Sequence, residues 1–146
     1  AVPWVLRDVN FRIEAGDKVA LIGQSMGAGT CIAYASQFPN KVTALAIADS
    51  LHGIEETPEI AAIMQQARSE TESLSQIERV LGPQADAELA SLYSAISSFN
   101  AVDRHSLAGR FEPVAPERIA DLGVPVLFIV GQHDHLFPPA AVEKIQ

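Results

Sequence analysis

A chain of 146 residues, 48% of them hydrophobic, is one domain at most and has enough apolar content to bury a core. Its net charge of −8 argues against nucleic acid and anionic membrane surfaces as partners, and no apolar run is long enough to span a bilayer. With one cysteine no internal disulfide can form, and no basic and apolar leader opens the sequence, so a reducing, cytoplasmic setting is the expectation.

Residues 1–14 carry two overlapping patterns. Val2, Val5, Leu6, Val9 and Ile13 share one helical face, with Pro3 suited to a first turn and Gly16 to a C-terminal stop. Val9, Phe11 and Ile13 also alternate with polar residues as in a strand; the helix is preferred. Residues 18–23 read as a short buried strand. Gly23-Gln24-Ser25-Met26-Gly27 follows, and residues 25–37 read as a helix that Pro39-Asn40 stops. Strand, G-x-S-x-G, helix is the context of a nucleophile elbow. Such a turn is tight, so Gly23 and Gly27 are expected to remove side chains that would collide with neighbouring backbone. The Ser25 hydroxyl then stands clear of the sheet at a helix N-terminus, where N–H groups and the helix dipole favour a developing oxyanion. Cys31 falls within that helix and reads as packing.

Residues 42–48 form a second apolar strand, of the kind a parallel sheet buries on both faces, and Asp49 ends it. Residues 51–121 change character. Thr57 caps a first helix with Pro58 at its first position, striped by Ile60, Ile63, Met64 and Ala67. Ser73 and Gln76 make a capping box for a second, striped by Leu74, Ile77, Val80 and Leu81 and ended by Gly82-Pro83. A third carries Leu89, Leu92, Tyr93, Ile96 and Phe99. Residues 116–122 read as a short helix closed by Gly123, and 124–130 as another buried strand. Gly131-Gln132-His133-Asp134 leaves that strand at its C-terminal end, where open α/β sheets place their chemistry. Residues 138–146 start a further helix.

GQSMG, AYASQFPNKV, TALAIAD and VPVLFIVGQHDHLFPP together resemble the α/β-hydrolase superfamily of serine esterases, lipases and lactonases, from about Asp17 onward. The resemblance implies an α/β fold, a parallel sheet flanked by helices (a partial α/β-hydrolase fold), with core residues 1–50 and 122–146. Residues 51–121 would be a helical cap over the site, in which Met64, Tyr93 and Phe99 can face substrate; packing among the helices alone is the other reading. Ser25 is then the nucleophile on a carboxylic ester, lactone or similar acyl bond, and Met26 N–H one oxyanion donor. The second donor belongs to a loop after an earlier strand. Asp134 matches the acid, in G-x-x-D before a proline-containing loop. Asp49 is the alternative acid, although a strand-terminal aspartate is also a common turn former. Ala28 stands where many relatives have a second glycine.

The family's histidine would follow one more helix and strand, beyond Gln146. Members are longer than this chain, which reads as an internal portion or as a member shortened at both ends. Among its own four histidines, His52 is the alternative base because it follows a strand end. His105 lies in the insertion, and His133 and His135 flank Asp134 too closely to be held by it. No histidine pair at helical spacing suggests a metal, no cofactor is implied, and the expected partner is a small ester or lactone, with oligomeric state open. A serine at the elbow argues against dehalogenase or epoxide-hydrolase chemistry, which uses aspartate. The missing base leaves an inactive fragment or interaction module as the alternative.

Residues 5–23, VLRDVNFRIEAGDKVALIG, also resemble the start of an ABC-type ATPase domain. A phosphate loop there needs G-x-x-x-x-G-K-[ST]. Counted from Gly23, Ala28 and Gly29 occupy the second-glycine and lysine positions, so the charge that grips the phosphates is missing. No LSGGQ-like signature follows.

Overall fold

A computed structural model describes residues 14, 16, 17, 19–82, 84–98 and 112–145. The two-way pattern of residues 1–13, Phe99 and His105 lie outside the described residues.

Three strands, β1 (Ala20–Gln24), β2 (Ala44–Ala48) and β3 (Val126–Ile129), form one parallel sheet in the order β1-β2-β3. The register sets Leu21 beside Leu45 and Leu45 beside Val126, and one row on Gly23, Ile47 and Phe128. Because side chains alternate along a strand, these residues share one face. Helix α1 (Met26–Gln37) returns across that face through Ala28, Ile32 and Ala35, all essentially buried.

The other helices follow β2 in sequence: α2 (Pro58–Glu70), α3 (Gln76–Leu81), α4 (Ala87–Ser98), α5 (Pro116–Ala120) and, after β3, α6 (Pro139–Val142). One buried cluster joins Leu45 and Ile47 of the sheet to Ile60 and Met64 of α2, Ile119 of α5 and Ala141 and Val142 of α6. Met64 is therefore a core residue, only 4% exposed. A parallel bridge between Ile54 and Val114 ties the start of this helical stretch to its end.

The opposite sheet face differs from expectation. Its row runs Ile22, Ala46, Leu127, and among the described residues nothing covers it: Ile22 is 75% and Leu127 59% exposed. The sequence of β2 already carries this asymmetry. Leu45 and Ile47 point to the helices, and only alanines point the other way.

Local signals set the helix ends. Thr57 caps α2, its Oγ1 accepting from Ile60 N at 3.3 Å, with Pro58 at the first position. Helix α3 corrects the expected capping box by two residues. Ser75 and Glu78 form it: Glu78 N donates to Ser75 Oγ at 3.2 Å and Ser75 N to Glu78 Oε2 at 2.7 Å. Residues 71–73 are held in a turn, with Arg79 Nε donating to Thr71 O at 2.9 Å, so the helix cannot begin at Ser73. A carboxylate at the third position also makes a stronger, charge-assisted bond than the Gln76 amide offers. Asp86 caps α4 through Leu89 N at 2.7 Å. Among its described residues most of the α4 apolar stripe is exposed, Leu92 at 55% and Ile96 at 61%, and Tyr93 alone is half-buried. No helix among the described residues is long and apolar enough to cross a membrane.

Candidate active site

The chain leaves β1 and enters α1 through a single residue, Ser25, at φ 51 and ψ −126. This is sparsely populated backbone for a residue with a Cβ, and it is the strained turn that G-x-S-x-G predicts. Three hydrogen bonds to its backbone hold it. Ser25 N donates to Ala48 O at 3.2 Å, and Ser25 O accepts from Ala28 N at 3.0 Å and from Ser50 Oγ at 2.8 Å.

The two flanking glycines are not equivalent. A Cβ on Gly23 would sit 2.6 Å from both Ala28 Cα and Gly27 O and 2.7 Å from Ala28 N. The start of α1 is thus pressed against the end of β1, and only glycine fits. A Cβ on Gly27 would meet nothing within 4 Å, so the spatial argument holds for Gly23 and fails for Gly27, which already lies on the helix. Ala28, fully buried, supplies two of the atoms that Gly23 must avoid. Its methyl packs into the core.

Met26 opens α1. The first N–H groups of a helix have no intrahelical acceptor, and the Met26 amide is the one next to the Ser25 side chain in sequence. The residue is 48% exposed.

Asp134 follows β3 in a tight turn, its N donating to Gly131 O at 3.0 Å. Its Oδ1 accepts from Leu136 N at 2.7 Å and Phe137 N at 2.9 Å. Two backbone donors thus fix the carboxylate through one oxygen. Oδ2 has no hydrogen-bond partner among the described residues and is free to accept from a further donor. Asp49 ends β2 at a second positive φ, 43, and its Oδ1 accepts from Gly131 N at 3.2 Å.

Ser25, Asp49, His133 and Asp134 all line one cavity of about 620 Å³ beyond the C-terminal ends of the strands. Val80 and Leu81 of α3 and Tyr93 of α4 form its other wall. No lysine or arginine is among the described residues that line it.

The described histidines divide. His133 lines the cavity and is exposed; His135 does not line it and is half-buried. His52 stands edge-on to Phe137, ring centroids 5.3 Å apart, off the cavity lining. None of the three hydrogen-bonds the Ser25 hydroxyl or Asp134 in the described residues. His105 lies outside them. Cys31 is half-buried on α1 and packs against the core, and burial pushes its thiol pKa up, as suits a packing residue. Among the described residues no group of three or more histidine, cysteine, aspartate or glutamate side chains is placed to hold a metal ion.

The family model for the alpha/beta hydrolase fold matches residues 15–116, more than half of the chain. The chain belongs to the α/β-hydrolase fold family. No curated protein and no solved structure matches it. The matched span takes in β1, Ser25, α1 and β2 and stops before β3, so it does not reach Asp134. The ABC-type resemblance of residues 5–23 gives way to this family over the overlapping stretch.

Sequence reasoning missed two features of this α/β-hydrolase site. Ser50, 2% exposed, carries a hydroxyl bonded to the Ser25 carbonyl, and nothing in a lone serine after a strand announces that. Gly53, at φ +86, approaches Gly29 so closely that a Cβ would lie 2.7 Å from Gly29 Cα. The pair of glycines was visible; their proximity across 24 residues was not.

Proposed function

We propose that this α/β-hydrolase acts on a carboxylic ester, lactone or related acyl bond through an acyl-enzyme on Ser25. The observation that carries the reading is the strained Ser25 turn facing a cavity that Asp134 also lines. Ser25 Oγ attacks the carbonyl carbon, a base takes its proton, and the Met26 N–H meets the developing oxyanion at the head of α1. The base returns the proton to the leaving group, and water then clears the acyl group by the same route. Asp134, fixed through Oδ1, keeps Oδ2 to orient the base. Helices α3 and α4 act as the cap, with Val80, Leu81 and Tyr93 against the acyl chain. A cavity lined by two carboxylates and no described cation favours uncharged acyl groups over anionic ones.

A second reading, a binding module of the same fold without turnover, is favoured by one observation: no described histidine reaches Ser25 Oγ. Imidazole in solution separates the two. The cavity that Ser25 and Asp134 both line, at about 620 Å³, is larger than an imidazole ring. The 146-residue chain is expected to turn over a p-nitrophenyl ester at a residual rate that Ser25→Ala leaves unchanged. Added imidazole is expected to raise a rate, above imidazole alone, that Ser25→Ala removes. Turnover that ignores Ser25 under both conditions sinks the nucleophile assignment. Brisk turnover without imidazole that Ser25→Ala stops places a working base within the chain, to be found by single replacement of His52, His105, His133 and His135.

A further inference from the structure

Two residues at the end of the middle strand each reach to a different neighbour. Ser50 Oγ donates to Ser25 O at 2.8 Å and accepts from His52 N at 3.0 Å. Asp49 N donates to Ile129 O at 2.8 Å, and Asp49 Oδ1 accepts from Gly131 N at 3.2 Å. We infer that Asp49 and Ser50 form a positioning pair, with Ser50 fixing the nucleophile turn and Asp49 fixing the loop that carries Asp134. The inference rests on the serine-hydrolase reading for its catalytic consequence, but not for its geometry.

Sheet order gives the pair its leverage. Ser25 follows β1 and Gly131 follows β3, and β2 lies between them. The spacing of nucleophile and acid across the sheet is therefore set by whatever grips both loops from the end of β2. The backbone there is bent to the task. Asp49 adopts a positive φ of 43, which aspartate tolerates better than most residues. That turn sends the Asp49 carboxylate toward β3 while the next side chain goes to β1.

The burial of Ser50 argues against a surface accident. At 2% exposure its hydroxyl is removed from water, and both its donor and its acceptor roles are filled by backbone groups. The Ser25 carbonyl is the group on which a residue at φ 51 must be held against relaxing. Ala28 N supplies one bond to it from the helix, and Ser50 supplies the only side-chain bond among the described residues. Without Ser50 the Ser25 carbonyl is held by the helix alone, the Ser25 N bond to Ala48 O lying on the other side of the residue, and the Met26 N–H, which shares the Ser25–Met26 peptide plane, turns with that carbonyl.

Asp49 is thereby reassigned from alternative acid to positioning residue. Its test is charge. A positioning acceptor is replaced by an amide oxygen, whereas an acid that orients a base is not. So Asp49→Asn is expected to keep imidazole-assisted, Ser25-dependent acylation within about threefold of the parent, and Asp49→Ala to lose at least about tenfold, on the scale of misplaced reacting groups. Equal losses in Asp49→Asn and Asp49→Ala overturn the assignment and return Asp49 to the acid role.

Ser50→Ala is expected to lower the acylation rate at saturating ester by about 10- to 100-fold while the half-saturating ester concentration stays put. Ser50→Cys, of similar size and a weaker donor, is expected to fall between and serves if the alanine variant does not fold. The Ser25 carbonyl ¹³C resonance gives a readout free of chemistry: loss of the hydroxyl bond shifts it upfield in Ser50→Ala. A parent chain that acylates, with Ser50→Ala and Ser50→Cys acylating equally fast, overturns the positioning role. An unmoved Ser25 carbonyl resonance overturns it as well. A shifted resonance in a parent that never acylates Ser25 supports the geometric clamp and counts against the hydrolase reading instead.

Discussion

Replacing Gly23 and Gly27 separately by alanine tests how the turn is built. The two glycines look equivalent in G-x-S-x-G, yet their surroundings differ. A Cβ on Gly23 lies 2.6 Å from Ala28 Cα and Gly27 O, about 1 Å inside ordinary van der Waals contact. All three of its nearest atoms are backbone, and the fully buried Ala28 leaves the start of α1 no room to retreat. The cost therefore falls at the top of the range for overpacking, about 3 kcal/mol. A Cβ on Gly27 meets nothing within 4 Å, and glycine to alanine on a helix is worth between about 0 and 1 kcal/mol of added stability. Urea unfolding followed by circular dichroism reads both. With slopes of about 1–3 kcal/mol per molar, the Gly23→Ala midpoint should drop by at least about 1 M. The Gly27→Ala midpoint should hold or rise. A Gly23→Ala chain as stable as the parent, or equal losses in both variants, refutes the reasoning.

Three further expectations follow from particular groups. Thr57→Ala removes the cap on α2, whose Ile60 and Met64 belong to the core, and should cost about 1 kcal/mol in the same unfolding assay; Thr57→Ser should cost little. Glu78 in the α3 capping box has its pKa lowered by its hydrogen bonds to Ser75. Its contribution is present above the unfolded carboxylate's range and is lost as pH falls through the lowered folded value. Amide resonances of the first turn of α3 should move in that acid window, and Glu78→Gln, which keeps the box without the charge, should abolish the movement; an unchanged titration in Glu78→Gln counts against it. Calorimetry with millimolar ATP should show no saturable binding, because Gly29 stands where the phosphate-gripping lysine belongs.

Legibility in the sequence tracked how local each signal is. The Ser25 turn could be read because strand, glycine and helix signals are contiguous there. The Thr57-Pro58 helix start is likewise written in adjacent residues. The α3 cap was misplaced because Ser73 and Ser75 both offer a hydroxyl three residues before a suitable side chain. The turn that Arg79 fixes decides between them, and that is a tertiary fact. The apolar run of β2 suggested burial on both faces; reading size instead of hydrophobicity would have separated Leu45 and Ile47 from the alanines. The grip of Ser50 on Ser25 links residues 25 apart, and the Asp49 bond to Gly131 spans 82. No periodicity or motif carries contacts of that range. Asp134 could be read as a turn aspartate or as an acid; the structure shows the turn role, Oδ1 accepting from Leu136 N and Phe137 N, and leaves Oδ2 without a partner among the described residues.

The nucleophile assignment is tested most directly by locating the acyl group. The 146-residue chain is treated with p-nitrophenyl acetate and imidazole, quenched in acid and digested with trypsin. A single acetyl adduct is expected on Ser25, in the peptide that follows Lys18 and ends at Lys41, with that peptide unmodified in Ser25→Ala. Acetyl groups confined to lysine or tyrosine side chains, with Ser25 unmodified, would contradict it.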